Sequence, residues 1–376
     1  MSADELLAAE AHVSNVATEP YDALLLLSFG GPEGPDDVLP FLENVTRGRG
    51  IPRERLLGVA EHYYHFGGVS PINAQNQALI AAVREELDRR GLDVPIYWGN
   101  RNWAPYVEEA VARMTADGVR RALAVPTSAY ASYSACRQYW EDIGRGRAAA
   151  GAEAPRIDKV RHFFNHPGFV AANADGLRAA LAAVPPGSRV VYTAHSIPVA
   201  MARSSGPAAT DFHGHGSGIR QNPGSQTHDH DGGLYVRELR EAAALVTAAN
   251  DPALAWDLVW QSRSGPPSVP WLEPDINDHL TALATEGVPG VVVAPIGFVS
   301  DHIEVLWDLD TEAAQTAANA GLPFARAATA GTHPAFVSMV VELLLERTDR
   351  DCPARALGSM GPSYDVCPVD CCGQAL

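Results

Sequence analysis

The sequence predicts an α/β fold built from two similar halves, each with a four-stranded parallel sheet, and a cleft between them. Short apolar runs alternate with amphipathic, Ala-rich stretches, the pattern of a parallel sheet flanked by helices. Four such runs fall in each half, and the pattern alone favours a doubly wound arrangement. In the first half the strand candidates are Ala23–Phe29, Val94–Gly99, Arg121–Pro126 and Ile157–Phe163. In the second they are Arg189–Ala194, Leu258–Gln261, Val288–Ala294 and Phe324–Ala328. Between them, helical periodicity covers Asn73–Arg90, Tyr106–Ala116, Ser134–Arg147, Tyr235–Ala249, Ile276–Glu286 and Pro334–Glu346.

At 376 residues the chain is long enough for two ordinary domains. A loose Ala- and Glu-rich leader over 1–20 precedes an N-terminal domain, 21–165, and a C-terminal domain, 166–350. The boundary is expected near Asn165 to Gly187, and a cysteine-bearing tail occupies 351–376. The net charge of −17 follows from 28 basic and 45 acidic residues. It argues against nucleic acid as the main partner, since phosphate binding needs clustered Lys and Arg. No apolar run reaches the roughly 18 residues of a membrane span. A basic region followed by an apolar core is missing from the N-terminus, so the expected location is the cytoplasm, with transient membrane contact left open. The segment Ser204 to Gly233 is rich in Gly, Ser, Asn, Asp and His and reads as a surface insertion. Its His213, His215, His228 and His230 form two H-x-H pairs, open to transition-metal binding or simply solvated.

Two distant stretches carry chemistry. Thr193-Ala194-His195-Ser196-Ile197-Pro198 places an imidazole at the carboxyl end of a strand candidate, where ligands sit in open α/β sheets. Pro295-Ile296-Gly297-Phe298-Val299-Ser300-Asp301-His302-Ile303-Glu304 leads into Asp308 and Glu312. If helical, the three carboxylates at i, i+4 and i+8 form a stripe about 12 Å long, at 1.5 Å rise per residue. Asp310 falls off that face. A base facing an acidic ladder suits moving a hard divalent cation and removing protons at its destination. Taken alone, His195 could be a hydrogen-bonded core histidine, and the stripe a solvated helix face. Asp301 and His302 are expected to brace Glu304 or cap the helix.

These stretches resemble ferrochelatases, which insert ferrous iron into a porphyrin. The resemblance runs from about Tyr21 to Arg347. It includes Leu27-Ser28-Phe29-Gly30-Gly31-Pro32, Gly67-Gly68-Val69-Ser70-Pro71-Ile72-Asn73, Trp260-Gln261-Ser262-Arg263-Ser264-Gly265-Pro266-Pro267 and Val269-Pro270-Trp271-Leu272-Glu273-Pro274-Asp275. It implies two Rossmann-like, class II chelatase-like domains with the porphyrin between them, and a lyase acting in haem biosynthesis. His195 matches the catalytic histidine and Glu304 the carboxylate opposite it. Ferrous iron would meet His195, Glu304, Asp308 and Glu312. Phe29, Trp271 and Trp103 are aromatic candidates for the macrocycle, or ordinary core. Many relatives have Tyr where Phe29 stands, so a phenolate ligand from this position is impossible. Propionate anchors are suggested at Arg47, Arg49, Ser70 and Arg101, with Ser262, Arg263 and Ser264 as further contacts. The cysteine-bearing C-terminus looks like the actinobacterial branch, associated with coproporphyrin III rather than protoporphyrin IX. Coproporphyrin carries more propionates, which suits several spread anchors. The next haem-pathway enzyme is an implied partner. Alternatives are a protoporphyrin enzyme, another tetrapyrrole chelatase, and a non-enzymatic haem carrier or iron–sulfur sensor.

Five cysteines stand at 136, 352, 367, 371 and 372. Several actinobacterial ferrochelatases carry a 2Fe–2S cluster on one internal and three C-terminal ligands. The resemblance therefore implies Cys136, Cys367, Cys371 and Cys372, with Cys352 in reserve because adjacent ligands are sterically demanding. A zinc site and free thiols are the other possibilities. Without such a cluster, the Gly-, Pro- and Asp-containing tail offers little else to dock it strongly.

Overall fold

The computed structural model describes residues 20–206, 232–266, 268–349, 351–367 and 371–372. The two expected sheets are present, both four-stranded and parallel. The first contains β1 (Ala23–Ser28), β2 (Ile96–Asn100), β3 (Arg121–Pro126) and β4 (Arg156–Lys159) in the order β2-β1-β3-β4. The second contains β5 (Arg189–His195), β6 (Trp256–Gln261), β7 (Val291–Ala294) and β8 (Phe324–Arg326) in the order β6-β5-β7-β8. The halves thus repeat one topology. β1 and β5 are buried along most of their length because each has a partner strand on both edges.

Differences from the expected strands have local causes. β2 begins after Pro95 and β7 after Pro289-Gly290, since proline has no N–H for a ladder. β4 ends at Lys159 rather than Phe163, because it pairs only along Arg121–Ala124 of β3 before the chain leaves the sheet edge.

The helices, in order, are α1 (Val38–Val45), α2 (Arg53–His65), α3 (Ile72–Arg89), α4 (Val107–Ala116), α5 (Gln138–Ala150) and α6 (Pro167–Leu181). They continue with α7 (Val199–Arg203), α8 (Gly233–Asn250) and α9 (Ile276–Glu286). Then α10 spans residues 303–319 and α11 is Pro334–Thr348. The stretch near Asn165 to Gly187, where the boundary is expected, is helical. α6 fills it and packs on α8 and α11. Its glycines are close-approach positions: a Cβ on Gly168 would stand 2.4 Å from the Ala335 carbonyl oxygen, and one on Gly176 2.9 Å from that of Ala328.

One apolar core runs through both halves, joining Leu24 and Leu26 of β1 to Val190 and Tyr192 of β5 through Phe163, Phe169 and Phe336. The histidine insertion, with His213, His215, His228 and His230, lies outside the described residues. The tail departs from expectation. Glu241 of α8 accepts hydrogen bonds from the backbone N–H groups of Ser359 (2.7 Å) and Met360 (3.4 Å). Asn165 donates to the carbonyls of Gly361 (2.7 Å) and Leu357 (3.3 Å). Arg161, buried and paired with Glu346 at 2.8 Å, also donates to the Arg355 carbonyl at 2.7 Å. Protein side chains therefore dock this segment without any help from the thiols.

Candidate active site at the sheet switch points

In a 2-1-3-4 order the strand succession reverses between β1 and β3, and likewise between β5 and β7. Ligands of open α/β sheets bind beyond the carboxyl ends at such points. His195 ends β5. The loop from Pro295 to His302 leaves the end of β7 and delivers Glu304 at the start of α10.

His195 Nε2 stands 3.6 Å from Glu304 Oε2, with both side chains partly open to solvent. His195 Nδ1 lies 2.5 Å from the Ser196 carbonyl oxygen. A carbonyl can only accept, so Nδ1 carries a proton, and in the neutral ring Nε2 is the accepting nitrogen. The Tyr235 hydroxyl donates to the His195 carbonyl at 3.0 Å, tying α8 to this strand end.

The acidic stripe is present but its helix is not regular. Between α-helical turns at Ile303–Val305 and Ala314–Asn319, residues Leu306–Ala313 are π-helical. The i→i+5 closure brings residues five apart together, so the Trp307 indole N–H donates to Glu312 at 2.9 Å. Asp308 accepts from the Ser262 hydroxyl and, at 3.3 Å, from the Gln261 amide. Burial pushes the Asp308 carboxyl up to about 7, helped by Glu304 and Glu312 and opposed by the Ser262 hydrogen bond. Glu312 is exposed. Asp310 points elsewhere and pairs with Arg326 at 2.5 Å. Asp301 pairs with the same Arg326 at 3.1 Å and neither caps α10 nor braces Glu304. His302 is the N-cap residue without a side-chain cap bond, and burial holds its imidazole below the usual range.

The pocket candidates divide. Phe29 is half-exposed, with its ring 6.2 Å from Phe41, which in turn lies 6.1 Å from Trp103. Arg47 and Arg49 are exposed just beyond α1. Arg101 is no exposed clamp. Its guanidinium is taken by Asp142 (2.7 Å), the Ser134 carbonyl (3.0 Å) and Gln138 (3.1 Å), over the Tyr139 ring. Its place beside β2 satisfied an internal carboxylate before any ligand. Ser70 is buried against Gly31. Ser262, held at a left-handed φ of 61°, turns its hydroxyl to Asp308. Trp271 is half-buried beneath Gly265, where a Cβ would come within 2.4 Å of the indole. Arg263 pairs with Glu273 at 3.2 Å, and the Ser264 carbonyl accepts from Arg55 at 2.7 Å.

Two features here had no sequence signal. His62 of α2 stacks on Trp307 with centroids 4.0 Å apart, and Tyr235 reaches His195. Both depend on contacts between distant elements.

The cysteines divide as well. Cys136 lies in a π-helical turn, Tyr133–Arg137, capped by Ser132. Its thiol lies near Cys367, and Cys367 near Cys371, close enough for each to shift the other's acidity. Cys371 Sγ is 3.8 Å from Cys372 Sγ, and the Gly206 N–H donates to Cys372 at 3.2 Å. Cys367 and burial push Cys136 up to about 12, while Cys136 and Cys371 hold Cys367 well below the usual thiol range. The Lys159 ammonium is 3.3 Å from Cys136 Sγ. Burial opposes the Lys159 charge, but Cys136 and Cys367 outweigh it and raise its pKa. Cys352 stands apart, beside Glu346, Asp349 and Glu342. Among the described residues, no three His, Cys, Asp or Glu side chains close on one point as ligands of a single metal ion. Lys159 was a missed signal: a lysine inside an apolar run marks either a strand end or a buried cation.

The ferrochelatase family profile matches residues 21–348. The coproporphyrin III ferrochelatase of Streptomyces griseus is 55% identical over 368 residues, covering 94% of this chain and 93% of that one. That of Nocardia farcinica is 56% identical over 354 residues, covering 93% and 94%. The ferrochelatase of Rhodopirellula baltica is 51% identical over 357 residues, covering 94% and 93%. Among solved structures, SirB from Bacillus subtilis with Fe3+ is similar at a TM-score of 0.51 and 13% identity, covering 88% of this chain and 99% of that one, a likeness of fold. With the profile spanning both sheets and relatives above half identity over nearly the whole chain, this protein belongs to the ferrochelatase family.

Proposed function

We propose that this chain inserts ferrous iron into coproporphyrin III, giving coproheme and releasing two pyrrole protons, in haem biosynthesis. The observation that carries the reading is the His195–Glu304 pair at the switch point of the second sheet. The named substrate of the actinobacterial relatives supports the choice of porphyrin.

In this reading the neutral Nε2 of His195 takes a pyrrole proton, and the Ser196 carbonyl keeps the accepting tautomer in place. Glu304 stabilises the imidazolium that forms. Asp308, with its carboxyl up to about 7, passes protons outward at neutral pH. Glu304, Asp308 and Glu312 lead the iron inward. Phe29 and Trp271 face the macrocycle, and Arg47 and Arg49 hold propionates at the rim. Anaerobic metallation with ferrous iron tests this. Coproporphyrin III should show the higher specificity constant, and equal or reversed constants against protoporphyrin IX would overturn the substrate and leave the chelatase reading standing.

We further propose that Cys136, Cys367, Cys371 and Cys372 hold a 2Fe–2S cluster. In support, Cys371 Sγ lies 3.8 Å from Cys372 Sγ, and Cys136 and Cys367 are near enough to shift each other's acidity, with Cys352 elsewhere. A bound cluster would supply one-electron chemistry or a covalent staple between tail and body. Single Ser substitutions at these four positions, and not at Cys352, should lower iron and acid-labile sulfide.

A further inference from the structure

Trp307 is the sole aromatic residue between Glu304 and Glu312. Its indole N–H reaches Glu312 at 2.9 Å only because the helix is π-helical there. The ring is held from the other half of the molecule. The His62 imidazole lies on it, 4.0 Å away and 7° from parallel. His65 stands nearly perpendicular to the same ring, at 5.5 Å and 82°. α2 carries both histidines here because its inner face is already committed. Leu56, Ala60 and Tyr63 are buried with Phe41 of α1 and Ile303 of α10. Near the start of α2, Arg55 donates to the Ser264 carbonyl at 2.7 Å. His62 is half-buried, and burial holds its imidazole below the usual range, opposed by Glu312 and then Glu304. Both carboxylates therefore lie within electrostatic reach of the ring.

Glu312 is exposed. An exposed glutamate stays in one rotamer only where its partner is itself immobile, since ordering a long side chain costs entropy. The stack supplies that immobility to Trp307.

We propose that His62 is a positioning residue for iron capture: stacked on Trp307, it fixes the indole whose N–H aims the Glu312 carboxylate at the arriving divalent cation. The inference deepens the iron route proposed above and rests on it. His62 acts through Trp307 and is not a ligand in its own right. Among the described residues, no three His, Cys, Asp or Glu side chains close on one metal position. All three carboxylates of the row belong to the second half of the chain, so the first half sets the geometry of a row to which it contributes no acid.

The test is steady-state metallation by the full-length protein under anaerobic conditions, with ferrous iron varied at saturating coproporphyrin III. Loss of one aromatic stack converts to a rise of about threefold to tenfold in the KM for iron in His62→Ala, with kcat and the porphyrin KM unchanged. His62→Phe keeps a ring on the indole without a nitrogen, and its iron KM should stay within about twofold of wild type. Trp307→Phe, which removes the N–H, should raise the iron KM as His62→Ala does, and the double variant should be no worse than either single one. A His62→Phe variant as impaired as His62→Ala would overturn the proposal, because a nitrogen rather than a stack would then be needed. A fall in kcat at saturating iron, or additive losses in the double variant, would overturn it as well. Glu312→Gln separates this from the route itself. If Glu312→Gln raises the iron KM and His62→Ala does not, His62 has no part in a route that stands. An unchanged iron KM in Glu312→Gln would sink the route.

Discussion

Asp308 sits where one carboxylate has to share space with two more. Burial raises its pKa to about 7, from an unfolded value near 4. The folded state therefore favours the protonated acid. Its stabilising contribution is fully present below about pH 4 and is lost as pH rises to about 7, a few kcal/mol in all. Asp308→Asn has no proton to lose, so its stability relative to wild type should rise across that window, as read by denaturant unfolding at pH 4 and pH 8. A constant difference would show the carboxyl to be unperturbed. Ser262 holds the same pKa down, so Ser262→Ala should move the acidic limb of the pH–rate profile upward. On the proposed mechanism, His195→Ala should reduce metallation roughly a hundredfold or more while porphyrin still binds. Near wild-type turnover would remove His195 from the chemistry.

At the level of elements, the strands and most of the helices beside them were legible because their periodicity is local. His195 and Glu304 were legible because each lies in a motif anchored to a strand end. The protein contacts of Arg101, Ser262 and Asp301 were not legible. Each is polar and lies in a matched segment, but its partner, Asp142, Asp308 or Arg326, sits on another element that no local pattern reveals. α6 was not among the expected helices, and its Gly168 and Gly176 let it meet backbone carbonyls of distant segments. The tail's docking was not legible because Glu241 and Asn165 hold it from distant elements of the body. Gly358 has a φ of +75°, and a Cβ there would stand 2.0 Å from Glu241. Gly358→Ala and Glu241→Ala should each accelerate limited proteolysis near Ser359, whether or not the cysteines carry metal. Cleavage that depends only on the cysteines would contradict this.

Across the whole molecule, the two repeated sheets share a core, so they are not independent folding units. Calorimetry should show a single cooperative transition, and separate transitions for the two halves would refute the shared core. A fragment of residues 21–165 should not fold alone, since it would expose the faces of Leu24, Leu26 and Leu79. α2 of the first half reaches the second through Arg55–Ser264 and His62–Trp307, placing a first-half helix against the acidic stripe.

The partly protonated stripe has a consequence for throughput. Metallation brings in one divalent ion and expels two protons, so a path carrying both in opposite directions works as an antiport, its net charge unchanged over a cycle. A row of permanently ionised acids would retain the incoming cation, and a fully neutral row would not attract it. On the proposed iron route, Asp308, poised between the two states near neutral pH, would let each arriving iron displace the protons left by the previous one. Acidic media would then slow iron delivery by competition at the same carboxylates.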